Sequence, residues 1–307
     1  LKKAAFWLLI INLALLVSVF LPVIGTKFWG AKRWVSIGGI SFQPSEFLKL
    51  TSILYLAALI STKFSPSSRR QWSLFAKNNY SNFIKVFLPF LLLLSVIGVI
   101  LIFQRDVSTL GIITATLIVI YFASKTPIWH TVLTFLGFIA LGTIFILLEP
   151  YRLQRFLTFF NPESDPLGTG FQLRQSLIAF GSGGWWGKGL GLSTQKFGFL
   201  PAAMSDSMFA IVGEELGILG CVIIIALFVL FVWFGIKIAK SSSNTFSQLT
   251  AVGISTWIIM QVFLNIGSAV GVFPVSGVPL PFFSYGGSHI MAEMIGIGLL
   301  LNISKNG

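Results

Sequence analysis

Apolar runs, each about as long as a membrane crossing, alternate along this chain with short polar or basic connections. Eight such runs read as helical spans: residues 4–24, 44–62, 84–102, 107–124, 129–148, 206–238, 246–273 and 286–304. About 20 predominantly apolar residues carry a helix through a hydrocarbon core of ~30 Å. The third and fourth runs are separated only by residues 104–106, so a turn joins them. Residues 149–205 form one long outer loop. The pattern predicts an all-α polytopic membrane protein, with residues 1–307 forming a single integral membrane domain.

Composition agrees with the pattern. The chain is 55% apolar and 10% charged with a mean hydropathy of +0.89, which makes a soluble core of this size implausible. Basic residues orient the spans. With the start of the chain on the cytoplasmic side, the inner connections hold Lys2, Lys3, Lys63, Arg69, Arg70, Lys77, Lys85, Lys125, Lys237, Lys240 and Lys305, and no acids. All nine carboxylates (Glu46, Asp106, Glu149, Glu163, Asp165, Asp206, Glu214, Glu215 and Glu293) then fall on or near the outer face. The other ten basic residues share that side, but the long loop is exempt from the charge rule because long loops cross regardless. The net charge of +12 therefore points to anionic membrane lipids rather than nucleic acid. Cys221 stands alone, so it makes no internal disulfide. The first apolar run is too long for a cleaved signal peptide. The chain opens on Leu1 rather than Met, and further residues are expected before it.

Three outer segments depart from generic membrane helix. The first runs through Arg33, Trp34, Gly38, Gly39, Gln43, Pro44, Ser45 and Glu46 to Lys49. Two readings fit: a helix start, with Pro44 at its first position, Glu46 at its positive end and Lys49 paired with Glu46, or a charged site at the membrane surface. The second is the glycine-rich part of the long loop, 168–191, which includes Trp185, Trp186 and Lys188. It is no nucleotide loop, because Lys188 is followed by Gly189 where Ser or Thr is required, so no nucleotide cofactor is expected. The loop leads to Ser205, Asp206 and Ser207. Asp206 fits either an N-cap or a reactive carboxylate, while Glu214 and Glu215 lie roughly 12 Å further along the helix, where ionisable groups are costly. The third segment, from Asn265 through Pro274, Ser276, Gly277, Pro279, Pro281, Ser284, Gly286 and Gly287 to Ser288, prevents a continuous helix. Irregular backbone at membrane depth is tolerated only inside protein or along a polar cavity.

Arg33-Trp34, Gln43-Pro44-Ser45-Glu46 with Lys49, the stretch from Asn161-Pro162 to Gln175-Ser176, and Pro274 to Pro281 with Ser284-Tyr285-Gly286-Gly287-Ser288 resemble the SEDS family, which comprises FtsW, RodA and SpoVE. The resemblance runs nearly end to end. Gln175-Ser176-Leu177 and Gly189-Leu190-Gly191 through Phe197 are more similar to its FtsW and SpoVE branch. It implies a ten-span bundle of which eight are present here, the first two being absent from an N-terminally truncated chain. It also implies a peptidoglycan glycosyltransferase that polymerises lipid II at the outer face of the bacterial cytoplasmic membrane, at the division septum. Its expected partners are a class B penicillin-binding protein, other divisome proteins, undecaprenyl-linked glycan and membrane lipids.

Carried over by motif, the catalytic carboxylate falls on Asp206. Arg33, Glu46, Lys49, Arg152, Arg155, Lys196, Ser276, Ser284, Gly286, Gly287 and Ser288 become candidates for holding substrate or pyrophosphate, with Arg105 as a further cation. A Mg2+ or Mn2+ ion shared by Asp206 and the pyrophosphate is expected from the resemblance, although no dedicated ligand set is visible in the sequence. The family's usual Pro-Glu before the catalytic turn is Pro201-Ala202 here, and Met204 replaces a usual His. Two rival classes remain at this level. One is a lipid-linked sugar flippase built on Glu214, Glu215 and Glu293; the other is a weakly catalytic scaffold for the penicillin-binding protein.

Overall fold

A computed structural model describes residues 1–21, 25–28, 31–63, 83–124, 126, 128–148, 153, 157–161 and 168–306. Arg69, Arg70, Lys77, Lys125, Glu149, Arg152, Arg155, Glu163 and Asp165 lie outside the described residues. The helices are α1 (Ala5–Ser18), α2 (Pro44–Lys63), α3 (Leu88–Phe103), α4 (Val107–Ala123), α5 (Ile128–Leu148), α6 (Thr169–Gly183), α7 (Met208–Ser241), α8 (Thr245–Ala269) and α9 (Gly287–Asn306). A π-helical turn, Phe83–Phe87, precedes α3. Five of the described helices are long and apolar enough to cross a membrane, and Ala5–Ser18, Val107–Ala123 and Trp129–Thr143 are shorter apolar helices.

The chain divides into two compact units. The first comprises Leu1–Phe138, Phe234–Trp257 and Gly287–Gly307; the second comprises Ile139–Trp233 and Ile258–Gly286.

In the first unit α2 is the central helix, packed by α1, α4 and α9. Leu48, Ile53, Leu56, Ala57 and Ile60 are fully buried along it, as expected of a helix enclosed by others rather than facing lipid. Gly253 of α8 lets that helix approach closely: a Cβ there would stand 2.5 Å from Ile53 and 2.6 Å from Ile120. Small residues serve this purpose where lipid removes the hydrophobic drive for helix association.

Between α1 and α2 the structure differs from the sequence expectation of a plain connection. A three-stranded antiparallel meander, β1 (Gly25–Phe28), β2 (Ala31–Ile37) and β3 (Ile40–Phe42), fills it. Gly38 and Gly39, with φ of 59° and 86°, form the two-residue turn between the paired Ile37 and Ile40. That turn needs positive φ at both positions, which glycine adopts without steric cost.

In the second unit α7 consists of two helical pieces joined at Gly217, where φ is 67° and ψ is −168°. The glycine-rich loop fills the break. Lys188 and Gly189 donate their N–H groups to the carbonyls of Glu214 and Glu215, both at 3.0 Å. The N–H groups of Ile218 and Leu219 reach the carbonyls of Gly184 (2.9 Å) and Trp185 (3.3 Å). Backbone groups exposed by the interruption are thus paired by a neighbouring segment, as irregular structure in a membrane protein requires. The fit needs glycine on both sides. A Cβ at Gly187 would lie 2.1 Å from the Glu215 carbonyl oxygen, and one at Gly217 would lie 2.4 Å from the Gly187 nitrogen.

Candidate active site

Asp206 lies in the turn of residues 201–207 that leads into α7. Ser207, not Asp206, occupies the cap position, since its carbonyl accepts the N–H groups of Ala210 (3.0 Å) and Ile211 (3.4 Å). The turn closes on the Ala202 carbonyl, which accepts from the N–H of Ser205 at 3.0 Å and of Ser207 at 3.2 Å. Ala202 itself adopts φ 49°. A left-handed non-glycine residue costs about 1–3 kcal/mol and persists where surrounding contacts over-determine it.

Those contacts come largely from the proline-rich segment. Asn265, fully buried on α8, donates both hydrogens of its amide: one to the Asp206 carbonyl at 2.8 Å and one to the Val278 carbonyl at 2.7 Å. Ser284 Oγ donates to the Ser205 carbonyl and accepts from the Leu280 N–H at 2.7 Å. The Tyr285 N–H reaches the Met204 carbonyl at 2.7 Å. From α6, Gln172 Nε2 donates to Ser207 Oγ at 3.0 Å, and Ser207 Oγ donates to the Pro201 carbonyl at 3.0 Å. Ala179, Leu200, Ala210 and Ile211 form a buried apolar cluster packed with Phe180 and Ala203 beneath the turn. The backbone on both sides of Asp206 is therefore pinned, while its side chain stays half-buried. Gly277, whose φ of 66° favours glycine, lies beside the carboxylate: a Cβ there would sit 3.6 Å from Asp206 Oδ2, at ordinary contact distance. Ser276 and Gly286 are half-buried in the same unit.

Lys196 is committed elsewhere. Its Nζ pairs with Glu215 at 2.7 Å and donates to the Gly191 carbonyl at 2.6 Å. Glu214 is fully buried and surrounded by donors: Lys188 Nζ at 2.6 Å, Thr194 Oγ1 at 2.9 Å, the N–H of Gln195 at 3.2 Å, and the hydroxyls of Ser193 and Ser182. Both carboxylates clasp the loop to α7.

The first unit gathers the other early candidates. Pro44 is the first residue of α2, and Glu46 pairs with Lys49 at 2.7 Å, both buried, with Lys49 Nζ 5.3 Å from the Trp257 ring centre. The helix-start reading of this segment thus describes its local geometry. Arg33 donates to the carbonyls of Gln104 (3.3 Å) and Arg105, and its Nη1 lies 4.0 Å from Asp106. Asp106 caps α4 through the Thr109 N–H (3.3 Å), and Ser45 Oγ and Gln43 Nε2 converge on its other oxygen. Ser288 Oγ accepts from the Gln43 N–H at 3.0 Å, and Gly287 opens α9. Arg105 is exposed, with φ 58°. Arg33, Glu46, Lys49 and Ser288 thus belong to one unit, and Asp206, Lys196, Ser276, Ser284 and Gly286 to the other. Sequence reasoning missed the hub at Asp106, although an Asp three residues before Thr109 at the head of an apolar run is a recognisable cap.

Against known proteins, the family model for FtsW, RodA and SpoVE cell cycle proteins matches residues 1–307. The chain belongs to that family. Stage V sporulation protein E of Bacillus subtilis is 40% identical over 300 residues, covering 97% of this chain and 78% of that protein. A Borreliella burgdorferi protein named "Probable peptidoglycan glycosyltransferase FtsW" is 40% identical over 306 residues, covering 100% of this chain and 80% of its own. Among solved structures, a chain from work on "polymerization and crosslinking by a peptidoglycan synthase complex" matches with a TM-score of 0.75 at 27% identity, covering 99% of this chain and 82% of that one. The crystal structure of Thermus thermophilus rod shape determining protein RodA matches with a TM-score of 0.68 at 24% identity, covering 99% and 79%. At that identity the RodA match speaks to fold alone. Family and apolar helices together make this a polytopic membrane protein.

Proposed function

We propose that this chain is a peptidoglycan glycosyltransferase that polymerises lipid II, with Asp206 as its general base. The observation that carries the assignment of the base is the construction of the Asp206 turn. Asn265, Ser284 and Tyr285 fix the backbone around it, a glycine stands beside the carboxylate, and the helix begins two residues further on, with Ser207 at its cap position. The family and its glycosyltransferase members supply the reaction class.

In the proposed step the 4-hydroxyl oxygen of the acceptor GlcNAc attacks the MurNAc anomeric carbon of the lipid-linked donor. The hydroxyl proton passes to Asp206, and the bond from the anomeric carbon to pyrophosphate breaks with its electron pair leaving on undecaprenyl pyrophosphate. The carbon is inverted. A positioned base of this kind contributes about 10²–10⁴-fold to rate. The departing pyrophosphate needs positive charge, and since Lys196 is paired with Glu215 the role falls to other groups. Mg2+ or Mn2+ held by Asp206 together with the pyrophosphate fits one protein carboxylate plus substrate phosphates, the usual way such ions are bound. Among the described residues no group of three His, Cys, Asp or Glu forms a dedicated cage.

The setting proposed is the outer face of the bacterial cytoplasmic membrane at the division septum, beside a class B penicillin-binding protein and other divisome proteins. The named FtsW relatives and the peptidoglycan synthase match support it. Of the three acids on which a flippase would be built, Glu214, Glu215 and Glu293, the first two are engaged in holding the loop, which disfavours that reading. Detergent-solubilised protein with labelled lipid II separates the classes, since a micelle has no two sides to transport between. The enzyme makes a ladder of glycan strands there, even with the transpeptidase partner blocked by penicillin. A transporter makes none, and a weakly catalytic scaffold makes only a trace.

A further inference from the structure

We infer that the loop carrying Trp185 and Trp186 is a membrane-docking shelf whose partner is the lipid interface of the outer leaflet, and that the break at Gly217 marks the outer limit of the hydrocarbon. The inference goes beyond the proposed reaction and does not depend on it.

The length of α7 is the first observation. Its 34 residues would run ~51 Å as one helix, far more than the ~30 Å of hydrocarbon. Beyond the break, residues 218–241 make 24 residues, or ~36 Å, which crosses the core alone with a modest tilt. Lys240 stands in the last turn of this piece, as the inner end of a span requires.

Side-chain exposure changes at the same point. Across residues 208–216 no large apolar side chain is exposed, and Glu214 and Glu215 belong to this piece. From Ile218 onward, Leu219, Val222, Ile223 and Leu227 are all exposed, as in a helix face presented to lipid.

The tryptophans sit at that level. The Gly184 and Trp185 carbonyls accept the first two N–H groups beyond the break, yet Trp185 and Trp186 are 67% and 83% exposed, and Leu190 and Leu192 beside them are exposed as well. Indole rings favour the headgroup layer because they combine a large apolar face with an N–H donor. Water would make this cluster unfavourable, and the lipid-facing helix continuous with it identifies the bilayer as its cover. The Asp206 turn then lies up to ~14 Å outside the boundary, nine helical residues away, and Glu214 and Glu215 stand on the aqueous side.

The test is spin-label depth measurement on the whole protein in nanodiscs, in a Cys221→Ala background, with labels at Trp186→Cys, Val222→Cys and Met204→Cys. Collision with oxygen relative to a water-soluble nickel chelate ranks their depths. The inference expects the Trp186→Cys label between the other two, with Val222→Cys in hydrocarbon and Met204→Cys in water. A Trp186→Cys label as open to nickel as Met204→Cys overturns it. So does one as shielded as Val222→Cys, and so does one closed to both reagents, which would mean a covering protein. Leu190→Cys reports the same level if the Trp186→Cys protein does not fold.

Discussion

Asn265 connects two segments that the chain brings together only by folding. Its amide binds the Asp206 and Val278 carbonyls at once, so replacing it takes this donor from the buried Val278 carbonyl and the half-buried Asp206 carbonyl. Loss of a buried hydrogen-bond partner costs about 1–3 kcal/mol. Asn265→Leu is therefore expected to lower the melting temperature in detergent and to reduce lipid II polymerisation more than tenfold, as the Asp206 turn loosens. Glu214 is expected to act on stability. Glu214→Ala leaves the buried Ser193 hydroxyl and the other loop donors without their acceptor, and an unsatisfied buried group costs about 1–3 kcal/mol, while the partly exposed Lys188 can turn to water. Glu214→Gln, which keeps the shape, is expected to cost less; thermal unfolding of the two variants checks the order. The sequence singled out Asp206 and could weigh base against cap only by motif. Which residue begins the helix is not legible in sequence: the structure starts it at Met208 and puts Ser207 at the cap position. Lys196 is a pyrophosphate candidate in the sequence as a cation of the outer loop, but the structure commits it to Glu215. Its partner Glu215 lies 19 positions away, so nothing local revealed the pairing.

At the scale of elements, α7 is where sequence pattern and structure differ most usefully. Its apolar run extends across Gly217, and a single glycine in an apolar helix ordinarily signals packing. The break depends on a second strip of backbone from residues 184–189, which hydropathy does not register. Gly217→Ala is expected to abolish folded protein in detergent, judged by size-exclusion chromatography, because its Cβ meets the Gly187 nitrogen and the Trp185 carbonyl in a left-handed conformation. Gly184→Ala, also at positive φ but with nothing within 4 Å of its Cβ, is expected to stay folded with a melting point lowered by only a few degrees. The meander between α1 and α2 escaped notice because its strands are three to seven residues long. Its glycine pair was visible, but without recognisable flanking strands it did not read as a hairpin.

For the molecule as a whole, the apolar runs and the scarcity of charge make the polytopic membrane class plain, and the motifs make the family plain. The grouping of candidates was not legible. Arg33, Glu46 and Lys49 belong to one compact unit and Asp206 to the other, a division set by packing among helices distant in sequence. Central to the account is that Asp206 takes the acceptor's proton. The most direct measurement is the rate of lipid II polymerisation by purified wild type and Asp206→Asn across pH, with folding of both confirmed by thermal unfolding. The account predicts a wild-type rate that rises with pH as the carboxylate ionises. For Asp206→Asn it predicts a flat rate lower by about 10²–10⁴-fold, with KM little changed. An Asp206→Asn protein whose ladder forms within a few-fold of the wild-type rate and follows the same pH dependence would contradict it.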